Sequence, residues 1–320
     1  MKTKITNRTA AFQGIRIIAL LCVLLSHSGG INIPLGIPMS LFFVVSGFLY
    51  RDNGEAYLKY IRAKFIKIFP IFWLTFIVDF FLNQRAFSLD MIPHLLLLQT
   101  YYPMPEISYD FVPFYYEYLG VSWFISCLFF CYILSPLIYR FIEGVRKEVQ
   151  ILLLVALITI ECVYLSIDIP VEYQKWFFYV SPYYRLLEYM MGMILARILT
   201  NTPPVNHSLS NLLGEVVVMA YMAMWWIWDF GMCCTLPNLF VVGFLYLFNS
   251  PVMTKLLGNR YMIFVSAYDM PVYLLHESIM EFVRMHGGGW IWCMIWAFII
   301  CVPYAMLTNY ILRNLNAIEK

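Results

Sequence analysis

The chain has 320 residues, 62% of them hydrophobic and 12% charged, with a formal net charge of +2. A water-soluble domain carries about 45–50% apolar and about 25% charged residues, so this composition excludes a soluble globular protein, and the small net charge gives no ground for a nucleic-acid partner. The solvent of its outer surface is lipid, in which apolar runs of about 20 residues are the spanning unit. Ten such runs are predicted, at roughly 13–28, 35–50, 65–82, 119–139, 149–167, 182–199, 211–228, 233–248, 262–283 and 290–312. Lys2, Lys4 and Arg8 ahead of an apolar stretch resemble a secretory signal. However, the polar lead is long, and Arg16 and His27 bracket the stretch, so a retained first helix is expected.

Between the third and fourth runs, Ile92–Thr100 is apolar but too short to span, and reads as an interfacial or re-entrant piece. Tyr101–Tyr118 is aromatic, with Pro103, Pro105, Glu106, Asp110 and Glu117, as suits a loop at the membrane–water interface. The most polar connections are Arg51–Lys64 and Thr200–Ser210. With ten spans, Arg85, Lys175, Arg185 and Arg284 fall on one side, and the remaining seventeen of the 21 Lys and Arg residues fall on the other. The positive-inside rule then puts both termini in the cytoplasm. The expected fold is therefore all-α, a polytopic membrane helical bundle forming a single domain over 1–320. Its eight cysteines show no Cys-x-x-Cys pair and read as packing residues rather than metal ligands.

Ionisable groups inside spans cost about 2.5–3.5 kcal/mol each on insertion scales and mark functional candidates. Ten residues separate His27 from Arg16, so His27 lies eleven steps along the helix. At about 100° and about 1.5 Å per residue this returns His27 to within about 20° of the Arg16 face, about 16 Å further along the helix. One face thus carries a fixed cation near the membrane boundary and a titratable base deeper in. Ser46-Gly47 in the second run permits close helix approach. Arg62, Lys64 and Lys67 precede Pro70 at the start of the third run, and read either as a polyphosphate site or as headgroup and topology charges.

Arg185 and Glu188, three apart, suit an intramembrane ion pair or a substrate site. Glu277, Glu281 and Arg284 share a helix face, suited to sugar hydroxyls or to an interfacial charge cluster. Asp269 precedes Pro271, whose missing N–H loosens the helix there, a break that could line a cavity. His286-Gly287-Gly288-Gly289 is not a lipase oxyanion loop, because the chain has neither a Gly-x-Ser-x-Gly elbow nor a strand pattern. It also has no nucleotide-binding glycine loop and no metal-ligand spacing.

Gly14-Ile15-Arg16, ten residues and His27, then Leu41–Phe48 (LFFVVSGF), then the basic run before Pro70, resemble the amino-terminal signature of the acyltransferase 3 family of membrane O-acyltransferases. Ser122-Trp123-Phe124-Ile125, Arg185–Gly192, Leu257-Gly258 and Val272-Tyr273-Leu274-Leu275-His276 follow in the family's order, so the resemblance covers nearly the whole chain. It implies transfer of an acyl group, usually acetyl, from cytoplasmic acyl-coenzyme A to a hydroxyl of a cell-surface or lipid-linked carbohydrate. Acetyl-CoA or another acyl-CoA is then the co-substrate, and no metal is involved. His27 becomes the base or a transient acyl carrier, and Arg16 its catalytic partner. Arg62, Lys64 and Lys67 hold the coenzyme A phosphates, though lysines stand where family members often carry arginines. Trp123, Arg185, Glu188, His276 and Glu277 are the expected substrate-binding residues. The implied location is the inner (plasma) membrane, with a glycan acceptor, the bilayer and glycan-assembly proteins as partners, and with no fused hydrolase-like domain. Intramembrane His, Arg and Glu beside a broken helix also fit a transporter, although no internal repeat is present. A non-catalytic scaffold would leave the shared face of Arg16 and His27 without a reason.

Overall fold

The computed structural model describes residues 2–33, 35–105, 112–200 and 255–318. The expected spans at 211–228 and 233–248, with Cys233 and Cys234, lie outside these residues, as do Glu106 and Asp110 of the aromatic loop. Every regular element among the described residues is helical. These are α1 (Lys2–His27), α2 (Gly36–Phe48), α3 (Tyr57–Leu82), α4 (Met91–Leu95), a 3₁₀ turn (Phe114–Tyr116), α5 (Ser122–Gly144) and α6 (Lys147–Ser166). They are followed by α7 (Val171–Lys175), a π-helical turn (Trp176–Val180), α8 (Pro182–Thr200), α9 (Arg260–Ser266), α10 (Asp269–Met285) and α11 (Trp290–Ile318).

Ala10–His27 within α1, all of α3 and α5, and Trp290–Leu312 within α11 are long and apolar enough to cross a membrane. α2 adds a shorter apolar stretch, Pro38–Phe48. Their outward faces carry large apolar side chains such as Ile77, Phe81, Leu137 and Ile299. Such a surface is costly in water and neutral in lipid.

Two sequence expectations need correction. The third helix begins at Tyr57, so Tyr57–Lys64 is helical rather than part of a polar connection. Lys and Arg are good helix formers, and the helix runs through the basic run beyond its apolar portion. The ninth expected span, 262–283, is two helices. α9 ends at Ser266, where Ala267 and Tyr268 make i→i−3 backbone bonds to Phe264 and Val265, and α10 restarts at Asp269. Pro271 sits in the first turn of α10, the one place in a helix where its missing N–H costs nothing.

Glycine sets the closest helix contact. A Cβ on Gly47 would collide with the carbonyl of Tyr189, and one on Gly192 with the carbonyl of Val44. Backbones of α2 and α8 therefore touch directly, as small residues allow in helix pairs packed without a hydrophobic driving force. The segment after α4 is non-helical, with Leu97 at φ 57°, and it is buried against α5. Ser126 donates to the Leu97 carbonyl (2.6 Å), Gln99 donates to Ser122 (2.9 Å), and the Trp176 indole donates to the Thr100 carbonyl (2.9 Å). Irregular backbone is tolerated at such depth only when protein groups satisfy it in this way.

Candidate active site

α1 carries both members of the candidate pair, and both face α10. The Arg16 guanidinium lies 2.6 Å from the Asp269 carboxylate and donates to Gln13 Oε1 at 3.4 Å. His27 Nδ1 lies 2.9 Å from His276 Nε2, and His276 Nδ1 lies 2.6 Å from the Tyr273 carbonyl oxygen. The main-chain carbonyl of His27 accepts from Arg284 at 2.8 Å. α1 and α10 thus run side by side, tied at Arg16–Asp269, at His27–His276 and at the His27 carbonyl.

Each end of this pair opens on its own cavity. The Arg16 cavity has two lobes, of about 460 and about 140 Å³, which share Arg16, Ser46, Lys67 and Tyr132. The wider lobe is lined by Arg51, Asp52, Tyr60 and Lys64, and the narrower one runs inward past Asp269 and Pro271. Lys64 Nζ lies 4.4 Å from the Tyr132 ring centre and 5.2 Å from that of Tyr60, a cation held between two aromatic faces. Tyr50 also lines the wider lobe.

The His27 cavity, of about 460 Å³, lies at the other end of α1. Glu277, Glu281 and Arg284 enter it from α10, Arg85 from the α3–α4 connection, Glu117 from the loop before α5, and Lys175 from α7. Trp123, Tyr116 and Tyr179 form its aromatic wall, with Trp123 tilted against Tyr179 at 4.7 Å between ring centres. Arg85 pairs with Asp79 at 3.1 Å and also with Glu281, so the charges at this rim are interlocked.

Three aromatic rings cluster in the deep lobe of the Arg16 cavity. Phe42, Phe124 and Tyr273 lie 5.5, 5.1 and 6.4 Å apart by ring centres, and all three line that lobe. The Tyr273 hydroxyl donates to the Val121 carbonyl at 3.2 Å, which fixes its ring.

The sequence-derived candidates divide clearly. Arg16, Lys64 and Lys67 meet at one cavity, and His27, Trp123 and Glu277 meet at the other. Arg62, on the exposed side of α3, is absent from the lining of these cavities. His276 is fully buried and touches His27 rather than cavity space. Arg185 and Glu188 are 1% and 2% exposed, pair at 2.8 Å and line none of these cavities. Arg185 also donates to Ser40 and to the Tyr179 carbonyl, tying α8 to α2 and to the wall behind Trp123. Asp269, expected only as a helix break, supplies the partner of Arg16.

Sequence reasoning missed Arg51 and Tyr60 at the Arg16 cavity, and Arg85 and Lys175 at the His27 cavity. A signal for the last two was present. Of the four basic residues on the sparsely charged side of the bundle, Arg85, Lys175 and Arg284 all line the His27 cavity. Cations placed against the prevailing charge bias are retained for local reasons. Among the described residues, no group of three or more His, Cys, Asp or Glu is arranged to hold a metal ion.

The chain is 28% identical over 191 residues to the acyltransferase MdmB of Streptomyces mycarofaciens, a match covering 51% of this chain and 46% of that protein. The chain thus spans less than half the length of that curated relative. No solved structure matches it at a significant level. The acyltransferase domain of the acyltransferase 3 family matches residues 9–313. With that match running from the first turns of α1 to the last turns of α11, and taking in both Arg16 and His27, the chain belongs to the acyltransferase 3 family.

Proposed function

We propose that this protein is a membrane O-acyltransferase. It moves an acyl group, acetyl in the first instance, from acyl-coenzyme A to a hydroxyl of a cell-surface or lipid-linked carbohydrate. The observation that carries the reading is that one helix presents Arg16 to one cavity and His27 to a second, about 16 Å further along. Family membership supplies the acyl chemistry.

In this reading the wider lobe of the Arg16 cavity receives the coenzyme. Lys64 and Lys67 supply charge to its phosphates, with Arg51 nearby, and the pantetheine arm runs inward past Asp269 towards the rings of Phe42, Phe124 and Tyr273. The acceptor sugar enters the His27 cavity, where Trp123 and Tyr179 offer flat apolar faces and Glu277 a hydrogen-bond acceptor. His27 takes the proton of the acceptor hydroxyl as its oxygen attacks the thioester carbonyl carbon. The C–S bond then breaks, and the departing thiolate takes up the proton that His27 accepted, giving the free thiol and returning His27 to its neutral form. A positioned base of this kind contributes about 10²–10⁴-fold. Transient acylation of His27 followed by transfer to the hydroxyl uses the same atoms in two steps. This reading has the Arg16 cavity and both termini on the cytoplasmic side of the plasma membrane, which the positive-inside bias favours, with glycan-assembly proteins as neighbours.

The test is transfer of label from acetyl-coenzyme A to an envelope glycan fraction by protein in liposomes. Label on the glycan, lost in a folded His27→Ala protein, supports the reading. Full transfer by His27→Ala removes His27 from the chemistry. Absence of both donor binding and transfer in folded protein would favour a transporter.

A further inference from the structure

We infer that His276 is a positioning residue that fixes the tautomer of His27, leaving Nε2 as the basic atom. The inference rests on the reading of His27 as the base, but its geometric part stands apart from any activity.

The logic begins at a main-chain carbonyl. The Tyr273 oxygen can only accept, so His276 Nδ1, 2.6 Å away, must carry a hydrogen. A neutral imidazole with its hydrogen on Nδ1 has a lone pair on Nε2. That lone pair lies 2.9 Å from His27 Nδ1. His27 Nδ1 must therefore be the donor, and the lone pair of His27 is left on Nε2. His27 lines the cavity in which the acceptor is proposed to sit, where this nitrogen is available to a substrate hydroxyl. His276 itself is fully buried and out of reach of substrate. The chain of bonds runs carbonyl, imidazole, imidazole, cavity, with every donor matched to an acceptor.

The orienting group in a serine-protease triad is a carboxylate, which holds the histidine ring in the correct tautomer. Here it is a second imidazole whose own tautomer is set by the backbone. The charged groups around the pair do not replace it. Arg284 binds the His27 carbonyl rather than its ring, Arg85 and Glu281 bind each other, and the bond the His27 ring makes is to His276. A neutral orienter keeps the resting pair uncharged, and a buried charge within a bilayer is expensive. It also explains why two histidines 249 positions apart meet in one hydrogen bond.

Solid-state NMR of protein labelled with ¹⁵N in the histidine rings, in liposomes, reads the tautomer directly, with His27 assigned by the signals missing from His27→Ala. The expected result is Nδ1 protonated and Nε2 unprotonated at His27, and the opposite tautomer overturns the inference. Kinetics supply the second arm. His276→Ala should lower kcat by about 10²-fold or more with the KM for acyl-coenzyme A unchanged. His276→Gln, whose Oε1 can accept from His27 Nδ1, should recover at least about tenfold of that loss. Equal activity of the two variants overturns the positioning role. If the NMR result holds while His27→Ala keeps full transfer, the base reading fails and the tautomer assignment survives.

Discussion

Arg284, near the end of α10, donates a hydrogen bond of 2.8 Å to the carbonyl of His27, the last residue of α1. That carbonyl is one of the four at a helix C-terminus without an intrahelical partner, and a cation there also suits the negative end of the helix dipole. The bond pins the last turn of α1, and with it the ring of His27, to the helix that carries His276. Arg284→Ala should therefore lower kcat about tenfold, equivalent to about 1.4 kcal/mol, and Arg284→Lys should restore most of it. Steady-state transfer kinetics decide the matter, and an unchanged kcat in the alanine variant would assign Arg284 to the cavity rim alone.

The three basic residues of α3 are not equivalent. Lys67 lines both lobes of the Arg16 cavity and Lys64 the wider one, whereas Arg62 is absent from both linings. Lys67→Ala should raise the KM for acyl-coenzyme A about tenfold, about 1.4 kcal/mol of lost binding, while Arg62→Ala should leave it within about twofold. Equal effects would mean that these charges act through topology rather than contact with the donor.

Asp269 pairs with the Arg16 guanidinium inside the bundle. Asp269→Ala leaves the guanidinium without its carboxylate and should lower thermal stability in detergent. Breaking a buried pair typically costs about 3–5 kcal/mol. The Arg16 side chain keeps 27% of its surface exposed, so the loss should fall at or below the bottom of that range. A double-mutant cycle with Arg16→Met measures the coupling, and additive losses would contradict a direct pair.

Gly192→Ala should be among the most damaging small changes in the chain, because its Cβ would meet the Val44 carbonyl on α2 and no side chain can yield there. Gly144→Ala has open space around it and serves as the control. Yield of folded protein and thermal midpoint distinguish them, and equal behaviour would mean that α2 and α8 can separate at little cost.

Much of the bundle was legible because a spanning helix announces itself by an apolar run, and α5, α6, α8 and α11 fall within a few residues of the expected spans apart from fraying beyond their apolar portions. The start of α3 at Tyr57 was not legible, since a charged helical stretch outside the lipid looks like a loop to a hydropathy reading. The break between α9 and α10 was visible only as Pro271. At the site, the 3.6-residue period was enough to put Arg16 and His27 on one face. It could not reveal that Asp269 and His276 complete them, because such pairing is fixed by how two distant helices pack. Arg185 and Glu188 illustrate the opposite limit. Charge inside a span marked them correctly as unusual, yet it could not separate a cavity residue from a fully buried strut.

The rings of Phe42, Phe124 and Tyr273 have a consequence for proton movement as well as for the substrate. Aromatic carbon neither donates nor accepts protons, and the Tyr273 hydroxyl is occupied by the Val121 carbonyl. The deep lobe of the Arg16 cavity is therefore walled in part by groups that relay no protons, unlike Arg16, Lys67 and Asp269, which line the same lobe.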